Sequence, residues 1–225
     1  MAASPDRLDA RTSPEVGDAR RTTLLIPLGA TEQHGPHLPI GTDSIIATAW
    51  AEAVAERVDG VLVAPTLPYG SSGEHQAFPG TLSIGNEALH LVLVELARSA
   101  RHDVDRVVFV SGHAGNAHTL DAAVNQLRSE GHDAHYVVPR LPGADAHAGH
   151  TETSLMLHLA PHLVRTDRAV PGTTTPLSEV IDRLRAEGLA PVAPTGVLGD
   201  PSGADADEGR RLFELLVSGL AASLA

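Results

Sequence analysis

The chain of 225 residues contains no cysteine. Disulfide bonds, thiolate nucleophiles and cysteine-ligated zinc are therefore excluded. All 16 basic residues are arginine, and the absence of lysine excludes Schiff-base chemistry and a P-loop lysine. Aromatic residues make up only 3% of the chain, which leaves few large side chains from which an interface could be predicted.

Positive charge is also scarce, since the formal net charge is -12. This balance argues against a nucleic-acid backbone or an anionic membrane as the main partner. No apolar run approaches the roughly 18 residues of a membrane span. Residues 1–21 are polar and lack the apolar region of a secretory signal. We therefore expect a cytoplasmic protein without nucleic-acid or membrane partners.

Short apolar runs alternate with longer helical stretches from residue 22 onward. The pattern predicts strands at residues 23–28, 61–64, 106–110 and 135–138, and helices at residues 44–58, 86–100, 116–130, 151–159 and 207–224. Thr42 or Asp43 is expected to cap the first helix. Apolar strands that alternate with helices are typical of a parallel sheet covered on both faces. We predict a three-layer α/β/α fold with a mostly parallel central sheet, in which residues 22–225 form one domain behind a polar N-terminal segment, residues 1–21.

Three loops rich in glycine, proline and histidine follow predicted strands, at residues 29–42, 65–85 and 143–151. In open α/β sheets the ligand crevice lies outside the carboxyl ends of the strands, where such loops meet. Many of the 13 histidines of the chain fall in the same loops. Histidine is the commonest metal ligand and general acid or base, so these loops are the first place to look for chemistry.

The first of these loops carries three types of metal ligand within a dozen residues. In an extended segment residues i and i+2 point to the same side, so Glu32 and His34 can converge on one point. Asp43, at the start of the following helix, brings another carboxylate within reach. The pattern indicates a metal site, and a solvated loop with a helix cap is the plain alternative.

Further candidate residues follow later strands. His113 stands beside Gly112, where the backbone can turn sharply and approach a ligand, although such turns are common in α/β proteins. Glu152 falls in the first turn of an apolar helix, where an acid also complements the helix dipole. We expect Glu152 to be a further carboxylate ligand and His147, five residues earlier, to act as an acid or base.

The charges of the candidate ligands are balanced only when metal is bound. The three carboxylates and two neutral imidazoles carry three negative charges, which two divalent cations and one hydroxide balance, as a metal-dependent hydrolase requires. Nitrogen and oxygen ligands without sulfur suit zinc, iron or manganese. Competing templates are missing, since the sequence has no G-x-S-x-G elbow, H-E-x-x-H helix, Walker A motif or G-x-G-x-x-G motif.

Three segments resemble the creatininase family of metal-dependent amidohydrolases. They are Glu-Gln-His-Gly-Pro-His-Leu-Pro-Ile-Gly-Thr-Asp at residues 32–43, Ser-Gly-His-Ala-Gly-Asn at residues 111–116, and His147 followed by Glu-Thr-Ser at residues 152–154. The resemblance runs from about residue 23 to the C-terminus and includes Phe-Pro-Gly-Thr at residues 78–81 and Gly-Val-Leu-Gly-Asp-Pro at residues 196–201. The motifs stand in the family's order, which makes the resemblance specific.

The resemblance implies a creatininase-like fold and a binuclear metal site. Glu32, Asp43 and His113 match the ligands of one metal. His34, Asp43 and Glu152 match those of the other, so that Asp43 bridges the pair. We therefore expect two divalent ions per subunit, zinc or iron or both, with manganese as a third candidate.

Within the family, the chain is most similar to members that trim a C-terminal Val-Tyr dipeptide from a modified precursor peptide. The resemblance therefore implies a peptidase in which a metal-bound hydroxide attacks the amide carbon of that peptide. His147 matches the histidine that handles protons on the leaving nitrogen. Family members usually form homo-oligomers, and we expect one here.

Other residues are expected to contact the substrate. The loop at residues 65–85 is expected to form a wall of the pocket through Glu74, His75 and Phe78, although loop packing is their plainer role. Gly115 and Asn116 are expected to lie near the substrate. Creatinine-hydrolysing members resemble this chain but carry glutamate where Gly115 stands, which puts creatinine in doubt as the substrate.

Two alternative functions fit the same residues. The first is creatininase-like hydrolysis of a small cyclic amide or a formamide. The second is a non-catalytic metal-binding or assembly protein that keeps the fold. Turnover of a small amide without turnover of peptides would identify the first, and tight metal binding without any turnover would identify the second.

Overall fold

The computed structural model describes residues 6–18 and 22–224. Its centre is a sheet of four short strands in the order β2-β1-β3-β4. The strands are β1 (Thr23–Leu28), β2 (Val61–Val63), β3 (Arg106–Ser111) and β4 (Asp133–Val137). Each neighbouring pair is parallel, and Thr23 lies opposite both Val61 and Arg106. The predicted parallel sheet is confirmed.

Helices fill the connections between the strands. They are α1 (Ser13–Asp18), α2 (Thr42–Ala55), α3 (Gly85–Ala100), α4 (Ala117–Ser129), α5 (His150–Leu159), α6 (Leu177–Glu187) and α7 (Ala206–Leu224). The five predicted helices are all present, whereas α1 and α6 were not predicted. In the described ranges, no helix has both the length and the apolar character that crossing a bilayer requires.

The helix after β1 begins earlier than the sequence pattern predicts. Gly41 occupies the N-cap position of α2, and no side chain caps the helix there. The hydroxyl of Thr42 instead donates to the carbonyl oxygen of Pro39 at 2.7 Å. The carboxylate of Asp43 contacts the ring of His34. The prediction of Thr42 or Asp43 as the N-cap is therefore wrong, because both side chains have partners elsewhere.

The sheet carries an apolar layer on each face. In β1, Leu25 lies in a core shared with α2, α5 and α7. Its neighbours Leu24 and Ile26 lie in a second core shared with α3 and α4. Burial on both faces explains why the strands are apolar along most of their length. The predicted three-layer α/β/α arrangement is confirmed.

Part of the N-terminal segment contacts the edge of the sheet. The backbone N–H of Val63 in β2 donates to the carbonyl oxygen of Asp6 at 2.8 Å. Arg7 forms ion pairs with Asp9 and Glu52. Residues 1–5 and 19–21, and the last residue, lie outside the described part of the chain. The division into a polar segment and one domain, residues 22–225, stays a prediction.

Adjacent leucines of α7 allow a direct test of this packing. Leu216 lies in the core at 5% exposure, whereas Leu215 is 55% exposed. We expect Leu216→Ala to lower the free energy of unfolding by about 2–5 kcal/mol, because it leaves a cavity in the layer. Leu215→Ala is the control and should cost less than about 1 kcal/mol. Urea denaturation of both variants measures the difference, and equal losses would contradict the observed packing.

Candidate metal centre

The predicted ligands meet at the carboxyl edge of the sheet. Glu32 and His34 follow β1, and His113 follows β3. Asp43 lies in the first turn of α2 and Glu152 in the first turn of α5. Parallel strands present their carboxyl ends at one edge, so segments far apart in sequence converge there.

Gly112 lets β3 pass close to the start of α2. A Cβ atom at this position would lie 2.2 Å from the backbone oxygen of Asp43. Any other residue would therefore push the strand end and the helix apart. The glycine before His113 thus keeps its ring near the carboxylate of Asp43.

Glu32, Asp43 and His113 form one of two groups of candidate metal ligands, here named the first ligand group. Nδ1 of His113 lies 3.2 Å from Oε1 of Glu32 and 3.7 Å from Oδ2 of Asp43. Their ligating atoms all lie within 4.8 Å of one another. Nε2 of His113 lies 3.2 Å from the carbonyl oxygen of Ser71, to which its N–H donates. This bond leaves Nδ1, on the side of the carboxylates, as the nitrogen that would be available to a bound cation.

His34, Asp43 and Glu152 form the second ligand group. Nε2 of His34 lies 3.2 Å from Oδ1 of Asp43 and 3.8 Å from Oε2 of Glu152. Nδ1 of His34 donates to the carbonyl oxygen of Glu32 at 3.1 Å, so that Nε2 would be the nitrogen available to a bound cation. Asp43 belongs to both groups and presents one oxygen to each histidine.

Three buried carboxylate oxygens lack a hydrogen bond to any described residue. They are both side-chain oxygens of Glu32 and Oδ2 of Asp43. Burying a carboxylate without a compensating partner costs several kcal/mol, so native structures pair such groups or bind metal with them. The oxygen and nitrogen donors present here fit divalent cations.

The crowded acids also shift the pKa values of the ligands. Burial raises the pKa of the Glu32 carboxyl above its ordinary value. Burial alone would lower the pKa of His34, but the carboxylates of Asp43 and Glu152 outweigh it and raise that pKa to about 10. Both shifts show that the cluster of carboxylates is short of positive charge, which bound cations would supply.

His147 lies between the two ligand groups. Its Nε2–H donates to the carbonyl oxygen of Gln33 at 2.9 Å, and its Nδ1 lies 3.7 Å from Oε1 of Glu32 and 4.0 Å from Oε2 of Glu152. Burial and the neighbouring His34 lower the pKa of His147 to about 4. The ring is therefore neutral, with a lone pair facing the carboxylates. Glu32, His34 and His147 also form a third group of close ligating atoms.

Ala148 sets the direction of the chain between His147 and α5. Among the described residues, it is the one non-glycine residue with a positive φ, at 52°. Its backbone N–H donates to Oε2 of Glu152 at 2.6 Å. The unusual backbone thus fixes one oxygen of a ligand beside the histidine that precedes it.

Gln33 is a site residue that the sequence pattern missed. Its Nε2 lies 3.0 Å from Nδ1 of His75 and donates to the carbonyl oxygen of Gly196 at 2.9 Å. In an extended segment, residues i and i+2 point to the same side. The sequence pattern therefore predicted Glu32 and His34 as site residues, and Gln33 between them was expected to point away. The loop instead has histidines on both of its sides, so Gln33 also contacts the site. The two-residue alternation of a strand gives no signal for such a residue.

Two residues of the predicted pocket wall reach the ligands. Nε2 of His75 lies 3.4 Å from Oε1 of Glu32. Oε1 of Glu74 lies 3.6 Å from Nε2 of His113. Burial and the neighbouring histidines lower the pKa of His75, so its ring is neutral. Their roles in substrate binding stay predictions.

The remaining wall candidates lie in different surroundings. Phe78 packs against the apolar cluster around Leu189 rather than against a ligand. Asn116 is buried, and its side chain accepts from the N–H of Ser71 at 2.9 Å and donates to Gly29 at 3.2 Å. Asn116 therefore ties two loops together. Gly115 lines the cavity, where its ideal Cβ would lie 2.2 Å from Nε2 of His113.

A large cavity opens onto the ligand groups. Its volume is about 1260 Å³, and Glu74, His113, His147 and Glu152 are among its lining residues. Its lining also includes residues of α6 and of the threonine-rich segment before it. Such a space accommodates several residues of a peptide, more than a small amide requires.

Comparison with known proteins extends over nearly the whole chain. The family model described as creatininase, creatinine amidohydrolase, matches residues 9–224. The mycofactocin precursor peptide peptidase of Mycobacterium ulcerans (strain Agy99) is 53% identical over 211 residues, which cover 90% of this chain and 84% of that protein.

Solved structures show the same relationship. A mutant creatininase described as Zn-Zn type has a TM-score of 0.81 at 30% identity, with 97% of this chain and 96% of that chain covered. A structure described as creatininase Mn has a TM-score of 0.80 at 30% identity, with 99% of this chain and 98% of that chain covered. The chain therefore belongs to the creatininase family.

Proposed function

We propose that the protein is a cytoplasmic, metal-dependent peptidase that releases the C-terminal Val-Tyr dipeptide from the modified mycofactocin precursor peptide. The name and 53% identity of the Mycobacterium ulcerans relative support the substrate. The observation that carries the chemistry is the pair of ligand groups that share Asp43. The size of the adjoining cavity supports a peptide rather than a small molecule.

Each of the two ligand groups would bind one divalent cation, and Asp43 would be shared between them. Glu32, Asp43 and His113 would hold one, and His34, Asp43 and Glu152 the other. Two divalent cations there would activate water and polarise the amide carbonyl. Zinc and iron are the proposed ions, with manganese as a third candidate, because the donors are nitrogen and oxygen alone.

His147 is proposed to carry protons between water and the leaving nitrogen. The carbonyl oxygen of Gln33 accepts its Nε2–H and holds the ring in one orientation. Nδ1 then faces the space between Glu32 and Glu152. In this position, the lone pair of Nδ1 can accept a proton from water and return it to the departing amine.

Creatinine is a weaker candidate for the substrate. A side chain at Gly115 would start 2.2 Å from Nε2 of His113 and 2.8 Å from Oε1 of Glu74. The glutamate of creatinine-hydrolysing members cannot enter there unless both groups move. Creatinine hydrolysis with that glutamate therefore requires a different arrangement of this side of the site.

Metal-loaded protein is expected to release Val-Tyr from the modified precursor peptide, and a chelated sample is expected to release none. Glu32→Gln and Asp43→Asn should lose bound metal and lower the rate by at least about a hundredfold, because each removes a charged ligand. Mass spectrometry of the peptide and elemental analysis of the dialysed protein measure both effects.

Asp121→Asn is the matched control, since Asp121 is an exposed helical residue that pairs with Asn125. It should keep full metal content and activity. Full, chelator-resistant activity in Glu32→Gln would overturn the mechanism. Absence of peptide cleavage with two metals verified would instead favour a small cyclic amide, a formamide or a non-catalytic role.

His147→Ala is expected to lower kcat by about 10²- to 10⁴-fold, the usual contribution of a general acid or base. Its metal content should match that of the unmodified protein, because both ligand groups remain complete without it. His135→Ala is the control, since His135 is an exposed strand residue. Metal loss that parallels the loss of rate would show that His147 acts as a ligand instead.

We also propose that the chain forms a homo-oligomer. Leu91, Val92 and Leu96 lie on the exposed side of α3, and Leu91 is 61% exposed. Apolar side chains concentrated on one helix face are typical of an interface between subunits. The family resemblance supports the same expectation.

Leu91→Glu is expected to shift the protein to a smaller species in size-exclusion chromatography with light scattering, because it introduces a charge into the apolar face. Leu215→Glu, on α7, is the control and should leave the mass unchanged. A monomeric unmodified protein, or an unchanged mass in Leu91→Glu, would contradict the proposed interface.

A further inference from the structure

Gln33 is buried beside two histidine rings of the candidate site. Its Nε2 lies 3.0 Å from Nδ1 of His75 and 3.1 Å from Nε2 of His147. The centroids of the two rings are 4.5 Å apart. The hydrogen bonds that Gln33 makes therefore determine which nitrogen of each ring carries the proton.

Two backbone groups fix the orientation of the Gln33 amide. The N–H of Gly35, which can only donate, lies 2.8 Å from Oε1 of Gln33. The carbonyl oxygen of Gly196, which can only accept, lies 2.9 Å from Nε2 of Gln33. Exchanging the two amide atoms would break both bonds. A Cβ atom at Gly196 would lie 1.9 Å from Oε1 of Gln33, so the glycine leaves the room that this amide needs.

The amide in turn fixes the tautomer of His75. Because Nε2 of Gln33 only donates, Nδ1 of His75 is the acceptor and carries no proton. The ring is then neutral, and its one proton lies on Nε2. This nitrogen lies 3.4 Å from Oε1 of Glu32 and 3.8 Å from Oε1 of Glu74. The nitrogen of His75 nearest to the two carboxylates is therefore an N–H group, which attracts them.

The main chain of Gln33 turns the second ring the other way. Its carbonyl oxygen accepts Nε2–H of His147 at 2.9 Å, so the two protons of the Gln33 amide go to His75 and Gly196. The unprotonated Nδ1 of His147 lies 3.7 Å from Oε1 of Glu32. The same carboxylate oxygen thus has the N–H of one ring and the unprotonated nitrogen of the other as neighbours.

We propose that His75 is a positioning residue whose Nε2–H holds the Glu32 carboxylate in place for a bound cation, and that Gln33 maintains this role by donating to Nδ1. This inference rests on the proposed peptidase function. His75 is then neither a ligand nor a proton carrier, because its nitrogen on the side of Glu32 already carries a proton. A hydrogen-bond donor that orients a ligating carboxylate increases metal affinity.

Glutamine substitutions separate the roles of the two histidines. A glutamine side chain places an N–H group near the position of Nε2, but it does not carry protons at neutral pH. His75→Gln is expected to keep the zinc affinity, and kcat for the modified precursor peptide, within about threefold of the unmodified values. His147→Gln should instead lower kcat by about 10²- to 10⁴-fold and keep its metal.

His75→Leu is expected to lower the zinc affinity by about 10- to 100-fold, because it removes the N–H group beside Glu32. Competition with a chelator measures this affinity. Gln33→Met should also weaken zinc binding, but it should add no further loss in the His75→Leu background, since it acts through His75. The matched control is His90→Leu, which removes a similar bond, from Nε2 of His90 to Oε1 of Gln126 at 2.8 Å, and should change neither quantity.

Nitrogen NMR of the zinc-loaded protein reports the tautomer directly, with His75→Gln used to assign the signals. His75 is expected as a neutral ring protonated on Nε2 alone. A proton on Nδ1, a zinc-bound nitrogen, an unchanged zinc affinity in His75→Leu, or equal losses in His75→Gln and His75→Leu would overturn the role of His75. Additive losses in the double variant would overturn the role of Gln33.

These outcomes are distinct from failure of the proposed function. The zinc affinities and the NMR signals are measured without substrate, so they test the positioning role even if no peptide is cleaved. Absence of cleavage of the modified precursor peptide by the unmodified protein, with two metals verified, would overturn the peptidase function itself.

Discussion

The structure depends on a cluster of buried carboxylates that lacks enough positive charge of its own. Glu32 and Asp43 lie fully inside the protein, yet three of their oxygens have no hydrogen bond among the described residues. Such burial is unfavourable by itself and is tolerated where cations compensate it. Two surrounding histidines lie close to these carboxylates, since His34 and His113 each present one ring nitrogen to them while the other ring nitrogen donates to a backbone carbonyl.

The parallel sheet makes this cluster geometrically feasible. Its carboxyl edge gathers residues from segments more than 100 positions apart, from Glu32 to Glu152. The apolar layers on both faces keep that edge rigid, and close contacts such as that of Gly112 with α2 fix the separation of the ligands. The wall of the adjoining cavity includes a different part, helix α6, which has no fully buried residue. The candidate ligands and this wall therefore lie on elements of different stability.

The sequence predicts the strands and the ligand cluster for the same physical reason. Strands buried on both faces are continuously apolar, and the residues at their ends converge whatever the intervening helices contain. Helix α6 was not predicted, although Leu177, Ile181 and Leu184 recur along it at helical spacing. The N-cap of α2 and the position of Gln33 escape because the demands of the site override local rules. Both of these features lie at the proposed site.

Asp43 has one more consequence, which concerns thermodynamic coupling. Because its two oxygens face different histidines, cations in the two ligand groups would share one carboxylate. Occupation of one position then changes both the charge and the orientation of the donor at the other. Linkage requires this influence to be reciprocal, so the two binding free energies are not independent quantities. The pair would behave as a single coupled receptor for cations, whose affinity belongs to the cluster and not to either ion alone.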